Sequence, residues 1–288
     1  MKKLVSLFLI SALMLSLCAF AGAQAAAYTA EDLMIDDGDH QIPATLTMPA
    51  LKKGELCPAV VMLHGNGSNR HEAGNGYDLL APKLAEAGIA SLRFDYIGNG
   101  DSATDYIEFT HEKGVQDALR VLEYLITLPG IDSARVGIMG WSQGGGLALV
   151  AASREESFKS VLTWAGALYD GAIDEAQYET AKKDGYYEST YEWRGPLKLS
   201  PEYFEVLREL RVADAVPLIK APILAINGAD DDVVPPASAE TIAKLAVNEK
   251  SAAFIMEGAD HTFRIFTGDM TVFNALMDKT VEWFKETL

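Results

Sequence analysis

The chain has 288 residues, of which 49% are hydrophobic and 23% charged, and it carries a formal net charge of −17. That balance excludes disordered and fibrous classes, and the length suits one large α/β domain. So acidic a body repels phosphate backbones and anionic lipid, so no nucleic acid and no stable membrane partner is expected.

The first residues read as a leader. Lys2 and Lys3 form a basic start, the run from Leu4 to Phe20 is broken only by serines, and Ala21-Gly22-Ala23 and Ala23-Gln24-Ala25 each offer an A-x-A cleavage pattern. A signal peptide over residues 1–25 is therefore expected, followed by a folded domain over 26–288 and export to the periplasm or the extracellular space. The apolar core is short for a retained bilayer anchor. Cys18 follows Leu17, where a lipoprotein signal carries a small residue, so a lipid anchor is disfavoured as well. Loss of the two lysines lowers the charge from −17 by two, to −19. Cys57 would then be the sole cysteine, which precludes an intrachain disulfide, and its place before an apolar run reads as a buried small hydrophobe.

Beyond residue 41, short apolar runs alternate with amphipathic stretches, the pattern of a mostly parallel central sheet flanked by helices. The expected strands cover 44–48, 59–64, 90–95, 135–140, 160–165, 223–227 and 252–256. The expected helices cover 77–87, 113–127, 144–153, 237–246 and 272–285. The stretch 166–217 interrupts the alternation. It is rich in tyrosine and acid, and with Tyr186, Tyr187, Tyr191, Trp193, Tyr203 and Phe204 it reads as an ordered cap insertion.

Chemistry concentrates at Gly140-Trp141-Ser142-Gln143-Gly144, a G-x-S-x-G pentapeptide after an apolar strand and before a small-residue helix. In that context the turn is a nucleophile elbow, which lifts Ser142 into the open. A serine hydroxyl needs a base. Of His40, His64, His71, His111 and His261, the last lies just past the final strand, where a loop returns over the sheet's carboxyl edge. His261 is therefore the expected base. His40 lies too early in the chain, His71 and His111 read as solvated surface, and His64 is expected to stiffen its loop. A carboxylate must fix the imidazole tautomer, and Asp230, Asp231 and Asp232 all follow the strand at 223–227, so chemistry alone leaves three candidates. The oxyanion needs two donors. These are expected from the backbone N–H of Gln143 and, in His64-Gly65-Asn66-Gly67, that of Asn66.

These segments, with Arg93-Phe94-Asp95, Gly98-Asn99-Gly100-Asp101-Ser102 and Gly258-Ala259-Asp260-His261, stand in an order that resembles serine esterases of the α/β-hydrolase superfamily. The resemblance is nearest to the bacterial feruloyl (cinnamoyl) esterase-like group and spans nearly the whole expected domain. It implies an α/β-hydrolase fold with a cap insertion that shapes the acyl pocket. It also implies that Asp231 is the triad carboxylate, lying three residues after Gly228 and four before Pro235. Two departures stand out: Trp141 replaces a frequent histidine before the nucleophile, and Gly98–Ser102 replaces a Gly-His-Gly-x-Ser segment.

The expected activity is hydrolysis of a small-molecule carboxylic ester, with aryl or short acyl groups such as feruloyl, through an acyl-enzyme and without a cofactor. A peptidase or acyltransferase with the same triad, or a non-catalytic binding protein, are the alternatives. Gly144-Gly145-Gly146 lacks the lysine of a phosphate-binding loop. Asp36, Asp37 and Asp39 lack the spacing of a calcium loop, so no metal is expected. Nothing in the sequence specifies oligomeric state.

Overall fold

A computed structural model describes residues 28–191 and 193–288. The expected leader lies outside the described residues. In chain order the elements are β1 (Tyr28–Asp36), β2 (Gln41–Pro49), β3 (Cys57–Leu63), α1 (Gly76–Glu86), β4 (Ala90–Phe94), α2 (His111–Leu125), β5 (Ile131–Trp141), α3 (Gln143–Arg154) and β6 (Phe158–Trp164). There follow α4 (Glu175–Asp184), β7 (Tyr187–Tyr191), β8 (Arg194–Leu199), α5 (Pro201–Glu209), α6 (Val212–Ala215), β9 (Ile223–Gly228), α7 (Ala237–Leu245), β10 (Ala252–Met256) and α8 (Thr271–Thr287).

The main sheet has eight strands in the order β1-β2-β4-β3-β5-β6-β9-β10. β1 and β2 join antiparallel, and the six strands from β4 to β10 run parallel. Both faces are covered, which is why β3 reads as a near-continuous apolar run. Its side chains alternate between two cores: Val61 and Leu63 join α2, α3 and α7 on one face, while Val60 and Met62 meet α1 and α8 on the other. Burial of these faces, at roughly 25 cal/mol per Å² of apolar surface, is what holds the sheet together. Cys57 is buried and free, and burial pushes its thiol above the usual range. Among the described residues, no helix is long and apolar enough to cross a membrane.

Between β6 and β9 the chain forms α4, an antiparallel hairpin of β7 and β8, then α5 and α6. The sequence pattern shows no such unit, because these elements are short and half-exposed. Their starts are nevertheless written locally. Asp174 accepts from Ala176 N and Gln177 N to cap α4, and Ser200 accepts from Tyr203 N to cap α5, with Pro201 in the first turn. Tyr178, Leu197, Leu199 and Phe204 bury into the same cluster as α2 and α3.

His111 departs from expectation. Rather than solvated surface, it is 1% exposed at the start of α2, where Phe109, Tyr169 and Tyr203 enclose its ring. Neither ring nitrogen has a hydrogen-bond partner among the described residues. Glu112 and Lys113 beside it stay partly exposed, while His111 meets the cap. Burial lowers its pKa to about 3, and burial likewise lowers that of His64 to about 4. Both values lie below the ordinary value of about 6.5. The folded state therefore keeps both rings neutral while the unfolded chain takes protons. Stability is fully present above about 6.5 and falls as pH drops towards the folded values, by about 1.4 kcal/mol per pH unit per ring. Urea unfolding of wild type and His111→Phe at pH 7 and pH 4.5 checks this. The variant is expected to lose less stability on acidification, and equal losses would contradict it. His71 fits expectation better: it is partly exposed and paired with Asp78.

Candidate active site

The strand–turn–helix at Ser142 works because its flanking residues lack side chains. A Cβ at Gly140 would run into the carbonyl of Gly144, and one at Gly144 into the carbonyls of Leu63 and His64. Ser142 itself sits at φ 54°, ψ −119°, a region non-glycine residues avoid. The turn is pinned from both sides, since Ser142 N donates to Trp164 O (2.8 Å) and Ala167 N donates to Ser142 O (3.0 Å). The strain is thus offset by the sheet that surrounds it.

Three side chains from separate loops converge on the carboxyl edge. His261 Nε2 lies 3.1 Å from Ser142 Oγ, and His261 Nδ1 lies 2.9 Å from Asp231 Oδ2. A carboxylate only accepts, so Nδ1 carries the proton and Nε2 is left to accept from the serine hydroxyl. The ambiguity among three aspartates resolves by placement: the Asp231 side chain is fully buried, whereas Asp230 and Asp232 are exposed. Asp231 Oδ1 also accepts from Val233 N (2.9 Å) and Val234 N (2.8 Å), and Asn227 Nδ2 donates to Oδ2 (3.2 Å). These donors fix the carboxylate before it meets the imidazole.

Trp141, the departure before the nucleophile, has a structural partner. Its Nε1–H donates to the carbonyl of His261 at 3.1 Å, and its ring packs on Trp164, Phe263 and Phe273. The residue thus ties the elbow to the loop that carries His261.

The segments that carry the two expected oxyanion donors both adjoin Ser142. Gln143 opens α3, whose first N–H groups have no intrahelical acceptors. The His64–Gly67 loop lies against Ser142, since a Cβ on Gly65 would stand 3.5 Å from that of Ser142. His64 Nδ1–H donates to Gly65 O (2.8 Å) while its Nε2 accepts from Tyr96 N (3.3 Å), so the ring stiffens the loop as expected and stays neutral. The Asn66 side chain is held from two directions. Tyr106 hydroxyl donates to its Oδ1 (3.0 Å), and its Nδ2 donates to Tyr191 hydroxyl (3.2 Å) in the cap hairpin. Sequence patterns single out neither Tyr106 nor this use of Tyr191, because the contacts span 40 and 125 residues.

At the second departure Asn99 Nδ2 donates to Ile97 O (3.0 Å), and the turn around it is anchored by a buried ion pair. Arg70 pairs with Asp95 and, at 2.8 Å, with Asp101, while Asp95 also accepts from Arg70 N and Asp101 N. This joins the residues after the oxyanion loop to the Gly98–Ser102 turn. Among the described residues, Asp37, His40 and Asp117 bring possible metal-ligand atoms within 4.8 Å of one another, and no triad residue belongs to that group.

Comparison with known proteins bears on the family and the fold. The sequence model of the prolyl oligopeptidase family matches residues 77–288. A putative phosphoribosyl transferase of Mycobacterium tuberculosis is 34% identical over 123 residues, covering 43% of this chain and 26% of that protein, so this chain spans about a quarter of that relative's length. The mitochondrial palmitoyl-protein thioesterase ABHD10 of Bos taurus is 25% identical over 218 residues, covering 72% of this chain and 68% of that one. Among solved structures, Est1E of Butyrivibrio proteoclasticus with ferulic acid bound superposes with a TM-score of 0.72 at 23% identity, covering 88% of this chain and 98% of its own. The fold is the α/β-hydrolase fold.

Proposed function

This chain belongs to the prolyl oligopeptidase family, and on that premise we propose that it is a serine hydrolase that cleaves carboxylic esters through an acyl-enzyme. The observation that carries the proposal is the hydrogen-bonded series Ser142–His261–Asp231, with links of 3.1 and 2.9 Å. Ser142 Oγ attacks the ester carbonyl as its proton passes to His261 Nε2. Asp231 holds Nδ1–H and stabilises the imidazolium. The N–H groups of Gln143 and Asn66 receive the oxyanion. Collapse of the tetrahedral centre breaks the bond to the alcohol, which leaves with the proton from Nε2. Water then repeats the sequence on the acyl-enzyme and releases the acid. These groups serve every bond made or broken, so the cycle draws on no cofactor.

The substrate side of the proposal is an aryl acyl group. Tyr106, Tyr169, Tyr191 and Tyr203 gather around the oxyanion loop and the start of α2, and flat aromatic surfaces favour a flat acyl group. The ferulic acid bound to Est1E is in keeping with this. A steady-state comparison of ethyl ferulate with ethyl butyrate tests it. The expected result is about a tenfold higher kcat/KM for ferulate, equivalent to roughly 1.4 kcal/mol of aromatic contact. A preference for butyrate would contradict it.

The family's description favours peptide bonds as a second reading. An exopeptidase site needs acids to hold the substrate's amine, and the cap offers Glu175, Glu179 and Glu188. All three are exposed, with Glu175 bound to Arg208 and Glu179 to Lys182. Aminoacyl arylamides in the same panel separate the two activities.

A further inference from the structure

Glu72 is used by none of the steps above, yet it is built into the site at some expense. Its backbone lies at φ 63°, ψ 176°, a region occupied almost solely by glycine, where other residues carry strain of order 1–3 kcal/mol. Two backbone groups meet its carboxylate. Oε2 accepts from Gly65 N at 2.5 Å and Oε1 accepts from Ala73 N at 2.9 Å. The backbone of Glu72 is tied in turn, with its N–H to Asn69 O (2.9 Å) and its carbonyl to Asn75 N (3.0 Å). Burial pushes the carboxyl above its usual range, and the N–H groups of Gly65 and Ala73 partly oppose that shift.

The consequence falls on the oxyanion loop. Gly65 is held through its N–H by Glu72 and through its carbonyl by His64 Nδ1 and Ser68 N (3.2 Å). The Asn66 side chain is held by Tyr106 and Tyr191. With Gly65 and the Asn66 side chain both fixed, the Asn66 N–H donates to no group among the described residues.

We propose that Glu72 is a positioning residue for the oxyanion hole: its carboxylate grips Gly65 N–H from behind and so aims Asn66 N–H at the carbonyl attacked by Ser142, an inference that rests on the esterase function proposed above. A neutral acceptor does this less well, because a hydrogen bond to a carboxylate is roughly twice as strong. Strain retained at a site and offset by its surroundings is what pre-organisation requires.

The test uses Glu72→Gly and Glu72→Gln in the full chain. Glycine suits the backbone angles, so Glu72→Gly folds without the strain while lacking the grip. It is expected to lose kcat by about 10- to 100-fold with KM little changed, part of the roughly 10²–10³-fold that a missing oxyanion donor costs. Its affinity for an aryl trifluoromethyl ketone, which forms a tetrahedral adduct, is expected to fall by the same factor. Glu72→Gln keeps one acceptor for Gly65 N–H, neutral and therefore weaker, and is expected to recover part of the loss. An active wild type with an equally active Glu72→Gly overturns this inference alone. So does a uniform loss in both variants that follows their unfolding rather than ketone affinity. A wild type inactive on every ester overturns the proposed function first.

Discussion

Replacement of Ser142 by alanine is expected to lower ester turnover about 10⁶-fold, the loss seen when the nucleophile of a comparable triad is removed. Binding of substrate should persist, because the side chain contributes one hydroxyl to the site and the cap, the oxyanion loop and α3 are untouched. Residual turnover should exceed the uncatalysed rate, since the Gln143 and Asn66 N–H groups still stabilise the oxyanion. A companion variant separates chemistry from folding. At φ 54°, ψ −119° the serine stores backbone strain of order 1–3 kcal/mol. Ser142→Gly relieves it, against about 0.5–1 kcal/mol of added entropy in the unfolded chain. The glycine variant should therefore be as inactive as alanine and no less stable than wild type by urea unfolding. Full esterase activity in either variant would contradict the role given to this hydroxyl.

Asp231→Asn should cost about 10⁴-fold in kcat with little change in KM. The geometry sets the outcome. Val233 N and Val234 N both donate to Oδ1, so the amide oxygen of asparagine must take that side. The amide nitrogen then faces His261 Nδ1, where it donates and forces the ring proton onto Nε2. Nε2 can no longer accept from Ser142, and the imidazole is held in the wrong tautomer. The same amide nitrogen also faces the Asn227 Nδ2 donor, which adds a donor–donor repulsion in a buried site. A variant that retained activity within tenfold across the pH range would remove Asp231 from the triad.

Much of the frame was legible because both faces of the sheet are buried. The strands at 59–64 and 223–227 write that burial as nearly unbroken apolar runs, those at 90–95 and 160–165 mix apolar residues with polar ones that are themselves buried, and each lies within a residue or two of an observed strand. β1 was not legible: its sequence, YTAEDLMID, sits on an edge with most side chains exposed, so no periodic apolar signal marks it. The hairpin of β7 and β8 escaped for the same reason. At the site, the elbow and the base announce themselves through spacing, whereas Asp231 needed either a family pattern or the observation that its neighbours are exposed. Trp141, Tyr106, Tyr191 and Glu72 act across long separations or through backbone angles. Composition and local spacing carry no trace of either. His111 shows the converse error, in which polar neighbours in sequence disguise a residue that the cap encloses.

The most direct check of the central claim is intact-mass and peptide analysis of the native protein after brief exposure to a fluorophosphonate. A single adduct confined to Ser142, formed quickly in wild type and at least 100-fold more slowly in His261→Ala, is the predicted result, the factor being about that of losing general-base assistance. Folded, ester-hydrolysing protein that labels elsewhere, or labels Ser142 as fast without His261, would contradict the triad.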